Sequence, residues 1–368
     1  MLLDSIEKAA KELDERVNSE NLGNPFFNDE RYNCLPFSKD NFVEITPVLN
    51  NRKIAFVDGG NMEIVSAPNF SVQLVRIAFV CFKNNERIMP EVIPQKIEFF
   101  SVCHTSMSDG RIIFGTKLIP LKDEFLKFLP DEQDLVFDSN DPKLRIGDSK
   151  AEISRVSSIP RRFAEWKFAE FVIQNELESE DILLRDGSLQ TSFSNESKYS
   201  ERAYLKSKEK NVFFIGLSKT SNLYTDTGYS LISAVSKIAI DNKINSLWFY
   251  QNICSNLNPD HNAEIFCAKL NKESEYSFRI EILREQAKNL SLLKKKEIFF
   301  SIADNSKDIS FVGYPYGLLS ADLSARVSRS EKDSLQAMFF SELAKIGALN
   351  KIIPCIKAVD AHDLLNKY

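Results

Sequence analysis

Apolar residues follow two patterns along this chain, and the switches between them predict its architecture. Ile6, Ala9, Ala10, Leu13 and Val17 recur at helical spacing, which predicts an amphipathic helix over residues 1 to about 20. "NSENLGNPFFNDE" then breaks the period with Asn, Gly and Pro. From residue 53 the runs "KIAFVD", "FSVQLVRIAFVCF", "KIEFFSVCH" and "GRIIFGTKLI" are rich in Phe, Ile and Val and are separated by polar or Gly/Pro turns, predicting a meander of antiparallel strands. Helical periodicity takes over from about 148 to 179, in "SRVSSIPRRFAEWKFAEFVIQNELE", and leads into another short apolar run, "DILLRDGSLQ".

Beyond that, "SFSNESKYSERAYLKSKEK" is polar, a solvated excursion or helix, and "NVFFIGLSKT" resumes the sheet. Short strands or helices alternate through "SLISAVSKIAI", "SLWFY", "AEIFCAKL", "YSFRIEIL" and "EIFFSIA", and "ISFVGYP" reads as a strand run closed by Tyr314 and Pro315. The last part is helical, "GLLSADLSARVS" and "EKDSLQAMFFSELAKIG", followed by the tail "CIKAVDAHDLLNKY". With no internal repeat and no low-complexity linker, the pattern predicts one α/β core, a mixed sheet flanked by helices, over residues 46–330. A helical N-terminal arm over 1–45 and a helical C-terminal segment over 331–368, packed on the core, complete the expected organisation.

Composition narrows the class. A hydrophobic content of 43% in 368 residues can fill a substantial core without staples. The six cysteines are scattered, mostly in apolar runs, with no CxxC pair and no signal peptide ahead of them; they read as reduced core residues of a cytoplasmic protein. No apolar stretch approaches the roughly 20 residues of a membrane span. The net charge of -5 decides little about nucleic acid, because a concave site on an acidic protein can be locally positive.

The candidate chemistry lies in acids at strand ends. "IAFVDGG" and "ILLRDGS" each finish a hydrophobic strand on Asp-Gly-small, at Asp58 and Asp186. Carboxylates there, beside glycines that let a phosphate or metal approach the backbone, suit a hard-cation site; a plain Asp-Gly turn is the competing reading. On the intervening helix Glu165 shares an apolar stripe with Phe168, Ala169 and Val172, so a carboxylate would be buried, which is costly without a cation. Glu170 competes with it, and pairing with Arg161 or Arg162 one turn away is the structural alternative. Asp322 falls among Leu318, Leu319, Ala321 and Ala325 on a later helix. Strand Asp, helix Glu, strand Asp, helix Asp is the acid order of ribonuclease-H-like nucleases, whose carboxylates hold two divalent ions.

Together "FVDGG", "RRFAEW", "LLRDGSL", "FIGLSKTS", "YPYGLLSADLSA" and "DAHDLLN", in this order over roughly residues 50 to 366, resemble the NurA family of DNA-end-processing nucleases. The resemblance implies a ribonuclease-H-like fold, a homodimer, Mn²⁺- or Mg²⁺-dependent cleavage of DNA in repair or defence, and partnership with a HerA-type hexameric DNA-translocating ATPase. It makes Asp58, Glu165 and Asp186 metal-binding acids and Tyr314 the active-site tyrosine of a YP motif. Asp322 falls where some members carry histidine; it can still ligate a hard cation but removes a possible proton shuttle.

Lys219 in "GLSKTS" could contact phosphate or be a surface lysine, and Arg155, Arg161 and Arg162 could track a DNA backbone or be solvated helix charges. His362 has no zinc-like spacing around it and reads as a tail contact. Two rivals remain. An actin-like or sugar-kinase-type ATP-dependent phosphotransferase also places Asp-Gly-Gly after its first strand, but 12 glycines are few for two phosphate loops. A degenerate subunit that only clamps DNA would draw on the Asp322 position.

Overall fold

The computed structural model describes residues 2–17, 21–48, 51–145, 147 and 149–356; His362 and the rest of "DAHDLLN" lie outside them. The chain divides into two compact units, each built from separated stretches: a larger one from Arg52–Arg185, Thr191–Phe213 and Gly317–Tyr368, and a smaller one from Met1–Asn51, Asp186–Gln190 and Phe214–Tyr316.

In the larger unit the four predicted runs form the expected meander. Strands Lys53–Ala67, Phe70–Lys83, Lys96–Ser108 and Arg111–Pro120 pair antiparallel in sequence order. Strand Ile182–Asp186 adds on the other side of the first strand, parallel to it, and makes the sheet mixed. A parallel neighbour requires a crossover, which helix Ile159–Glu176 provides. The helix starts where Pro160 takes the first turn, a position that needs no donor N–H. Pro160 thereby separates it from the short turn Ile153–Val156, so the predicted 148–179 helix is two pieces. The helix is buried nearly all round, with Phe163, Trp166, Phe168, Val172 and Ile173 inaccessible.

Asp181 fixes the start of the parallel pair. Its carboxylate accepts from the amides of Lys53 and Glu178, both at 2.8 Å. The register that follows sets Ile182 beside Ile54 and Arg185 beside Val57; Asp186 then ends its strand as expected, whereas Asp58 does not, because the pairing with Phe70–Lys83 carries its strand on through Gly59 and Gly60 to Ala67. The polar stretch "SFSNESKYSERAYLKSKEK" supplies helix Glu196–Glu209, packed on the crossover helix through buried Glu196, Tyr199 and Ala203.

In the smaller unit, strands Phe42–Glu44, Trp248–Tyr250, Ala263–Lys269, Phe278–Leu283 and Phe213–Ser218 are antiparallel neighbours in that order. "SLISAVSKIAI" and "EIFFSIA" are helical, within Leu231–Asp241 and Leu292–Asp304, and Ser230 and Ser291 cap them. Of residues 1–45, Leu2–Arg16 is a helix with no buried residue, and the remainder contributes three short strands. "ISFVGYP" is not a strand. Gly313 takes φ +91° there and Tyr314 N donates to Phe311 O at 3.0 Å, forming a turn into helix Tyr316–Ala325. Helix Arg329–Lys345 follows in the larger unit. Among the described residues no helix is long and apolar enough to cross a membrane.

Candidate active site

Protein atoms already occupy the space beside Gly59 and Gly60. A Cβ on Gly59 would collide with Oε1 of Glu165 and stand 2.8 Å from Cδ1 of Ile77; one on Gly60 would collide with the carbonyl of Ala325. Both glycines are needed, yet the reason differs from the expected clearance for phosphate or metal: the Glu165 carboxylate fills one side of the strand and the end of helix Tyr316–Ala325 fills the other. Strand alternation puts Phe56, Asp58 and Gly60 on the face of that last helix, and Val57 and Gly59 on the face of the Glu165 helix. Asp58 is itself buried and accepts from the Gly59 amide at 2.7 Å.

Glu165, and not the half-buried Glu170, is the acid the crossover helix turns inward. Its charge is compensated by the chain itself. Arg185 Nη2 donates to Oε2 at 2.8 Å, and Arg161 Nη1 donates both to Oε1 and, at 2.9 Å, to the carbonyl of Gly59. The buried carboxylate therefore does not by itself demand a metal. The Arg185 guanidinium also lies 4.0 Å over the Trp166 ring, so the strand that carries Asp186 is keyed to the helix that carries Glu165.

The three candidate DNA-contacting arginines have structural partners. Arg161 is held as described, and Arg162 pairs with the fully buried Glu196, which also accepts from Trp166 Nε1 at 2.8 Å and from the Ser192 amide at 2.7 Å. Arg155 Nη2 donates to the Lys143 carbonyl at 3.1 Å. Asp322 lies at the helix surface and pairs with Arg326 one turn on, rather than being buried among its apolar neighbours.

In the smaller unit Lys219 Nζ reaches Asp186 at 2.9 Å and stands 5.6 Å over the ring of Tyr314. Tyr314 is buried, its ring packed against Phe278 and Phe311 at centroid separations of 5.5 and 5.3 Å. Thus Asp58, Glu165 and the two helix arginines share one unit with Asp322, and Asp186, Lys219 and Tyr314 meet in the other.

A family model for the NurA domain matches residues 52–327, three quarters of the chain. The chain belongs to the NurA family. This is a nuclease family, and the match spans Asp58, Glu165, Asp186, Lys219, Tyr314 and Asp322. No curated protein matches. Among solved structures, Argonaute of Aquifex aeolicus is similar over 75% of this chain and 28% of its own, at 8% identity and a TM-score of 0.26. A second, Aa-Ago with externally bound siRNA, is similar over 68% of this chain and 24% of its own, at 9% identity and a TM-score of 0.23. This chain spans about a quarter of the length of those structures, and scores so low carry no argument.

The donor chemistry of this NurA domain suits a hard divalent cation, since all four candidate acids offer carboxylate oxygens. Each Glu165 oxygen keeps a lone pair beyond its arginine bond. Among the described residues, however, no three His, Cys, Asp or Glu side chains gather closely enough to hold a metal ion.

Sequence reasoning passed over two buried charge clusters of the NurA domain. Arg76 donates to Glu98 at 2.7 Å, to the Arg326 carbonyl at 2.7 Å and to Glu331 at 2.6 Å, fastening the end of the Asp322 helix to the sheet. In the smaller unit Glu281 is fully buried beside Arg279, His261 and the turn after Asp186. The signal was present in both: a charge inside an otherwise apolar strand, in "QLVRIAFV" and "FRIEIL".

Proposed function

We propose that this chain is a Mn²⁺- or Mg²⁺-dependent DNA nuclease that hydrolyses phosphodiesters at DNA ends. The observation that carries the reading is the parallel register of Lys53–Ala67 and Ile182–Asp186 within a NurA domain, whose last registered pair, Val57 and Arg185, is followed directly by Asp58 in the one strand and Asp186 in the other. Asp58 and Asp186 would hold the cation, with Glu165 and Asp322 as further oxygen donors. A bound divalent ion supplies charge neutralisation at the scissile phosphate and acidifies the attacking water.

The chain's own residues orient and compensate. Arg161 and Arg185 hold the Glu165 carboxylate in ion pairs beside Gly59, Lys219 offers a point charge for a phosphate, and Tyr314, held in its aromatic cluster, borders the same lysine. Family membership also supports assembly as a homodimer and coupling to a HerA-type hexameric translocase ATPase that feeds DNA to the nuclease. A DNA-clamping subunit without catalysis is the second reading, favoured by the Asp322–Arg326 pair.

Incubating linear single- and double-stranded DNA with the protein and Mn²⁺, with and without a HerA-type ATPase, tests these readings. Shortened products in the presence of metal are expected. DNA retention without cleavage under every condition would replace the nuclease by the clamp.

A further inference from the structure

The turn that follows Asp186 hangs on one buried carboxylate. Glu281 is inaccessible to solvent, and four groups surround it: Arg279 in an ion pair, His261 Nε2 at 3.0 Å, Ser188 Oγ at 3.1 Å and the Leu189 amide at 2.7 Å. Burial alone would push its pKa up, yet the charges of Arg279 and His261, with the His261 and Leu189 hydrogen bonds, hold it far below the ordinary glutamate range. His261 is itself backed by Tyr32, whose hydroxyl lies 2.8 Å from Nδ1.

Such a cluster is a poor device for stability alone, because desolvation of its charges offsets much of their attraction. What distinguishes it is where two of its donors come from. Ser188 and Leu189 belong to the turn immediately after Asp186, and Ser188 Oγ also accepts from the Gln190 amide at 3.0 Å. The other side of the turn is equally fixed. Gly187, at φ +92°, donates to the Leu217 carbonyl at 2.7 Å, and a Cβ on Gly216 would come within 2.6 Å of the Gly187 carbonyl. Asp186 is thus tethered from behind by Glu281 and bonded in front to Lys219.

We propose that Glu281, oriented by His261 and Tyr32, is a positioning residue of the nuclease: it holds the Gly187–Gln190 turn and so sets the placement of Asp186. This rests on the nuclease reading above, in which Asp186 is a metal-holding acid. The cluster itself has no nucleophilic role, since Tyr32, His261 and Glu281 are all buried.

Glu281→Gln keeps the volume and removes the charge. Two readouts on the full chain decide the matter: hydrogen exchange of segment 186–190, and kcat and KM for Mn²⁺-dependent cleavage of linear DNA. Faster exchange confined to the turn is expected, with kcat reduced roughly 10- to 100-fold, the range seen when a supporting partner of a ligand is lost, and KM within about twofold. Unchanged exchange overturns the proposal, as does a loosened turn with unchanged kcat. If Glu281→Gln fails to fold, Ser188→Ala deletes one donor while leaving the carboxylate, and the same two readouts should shift by a smaller amount. A wild-type protein that cleaves nothing with Mn²⁺ overturns the nuclease reading instead, and exchange alone then decides whether Glu281 holds the turn.

Discussion

Arg185 and Glu165 meet at 2.8 Å with both side chains almost wholly buried, one from the strand that ends in Asp186 and the other from the crossover helix. Removing one member of such a pair strands a charge in the interior, at a cost of about 3–5 kcal/mol. Arg185→Met should therefore destabilise the protein by about that amount in urea unfolding, whereas Arg185→Met combined with Glu165→Leu should recover most of it. An additive double variant would mean that the two side chains do not depend on each other.

The glycines separate by what surrounds them. Gly59→Ala and Gly60→Ala insert a methyl group into occupied space, and each should cost about 1–3 kcal/mol, with Gly60 the worse because backbone is the obstacle. At Gly187 the space is open and only the positive φ opposes a side chain, so Gly187→Ala should cost about 1–2 kcal/mol. Thermal melts of the three variants give the order directly.

These contrasts show which parts of the site were legible in sequence. The meander and the strand-helix-strand crossover could be read because both rest on local period, alternating Phe, Ile and Val for strands and a 3.6-residue stripe for the Glu165 helix. Glu165 could be singled out as a buried acid, but its arginine partners could not both be named: Arg161 lies one turn away, whereas Arg185 arrives through the parallel register. The same limit applies to Gly60, whose obstacle is the backbone of Ala325, far along the chain. "ISFVGYP" misled because a short apolar run does not distinguish a strand from a turn that packs Phe311 and Tyr314 into a core.

The basic residues should divide into structural and functional ones. Arg162→Ala leaves buried Glu196 without its guanidinium and should lower stability by about 3 kcal/mol or more, whatever it does to DNA. Lys219→Ala should leave the melting temperature nearly unchanged, lower DNA affinity and flatten its salt dependence, as loss of one phosphate contact would. Equal effects of the two variants on DNA affinity at unchanged stability would reverse this division.

Acid should expose the role of Glu281. Its folded pKa lies below the free value of 4.5, so the unfolded chain takes up the proton first as pH falls. The stability it contributes is complete above the ordinary glutamate range and is lost as pH drops toward the folded value. The stability difference between wild type and Glu281→Gln should accordingly be larger near about pH 7 than near about pH 3. Equilibrium unfolding at the two values checks the sign.

The acid directly before the two strand glycines, Asp58, carries the account. Single-turnover cleavage of linear DNA with Mn²⁺ by wild type and by Asp58→Asn, with matched circular dichroism spectra, tests it most directly. Cleavage by wild type and none above background by the equally folded variant is the predicted result; equal rates from both would contradict it.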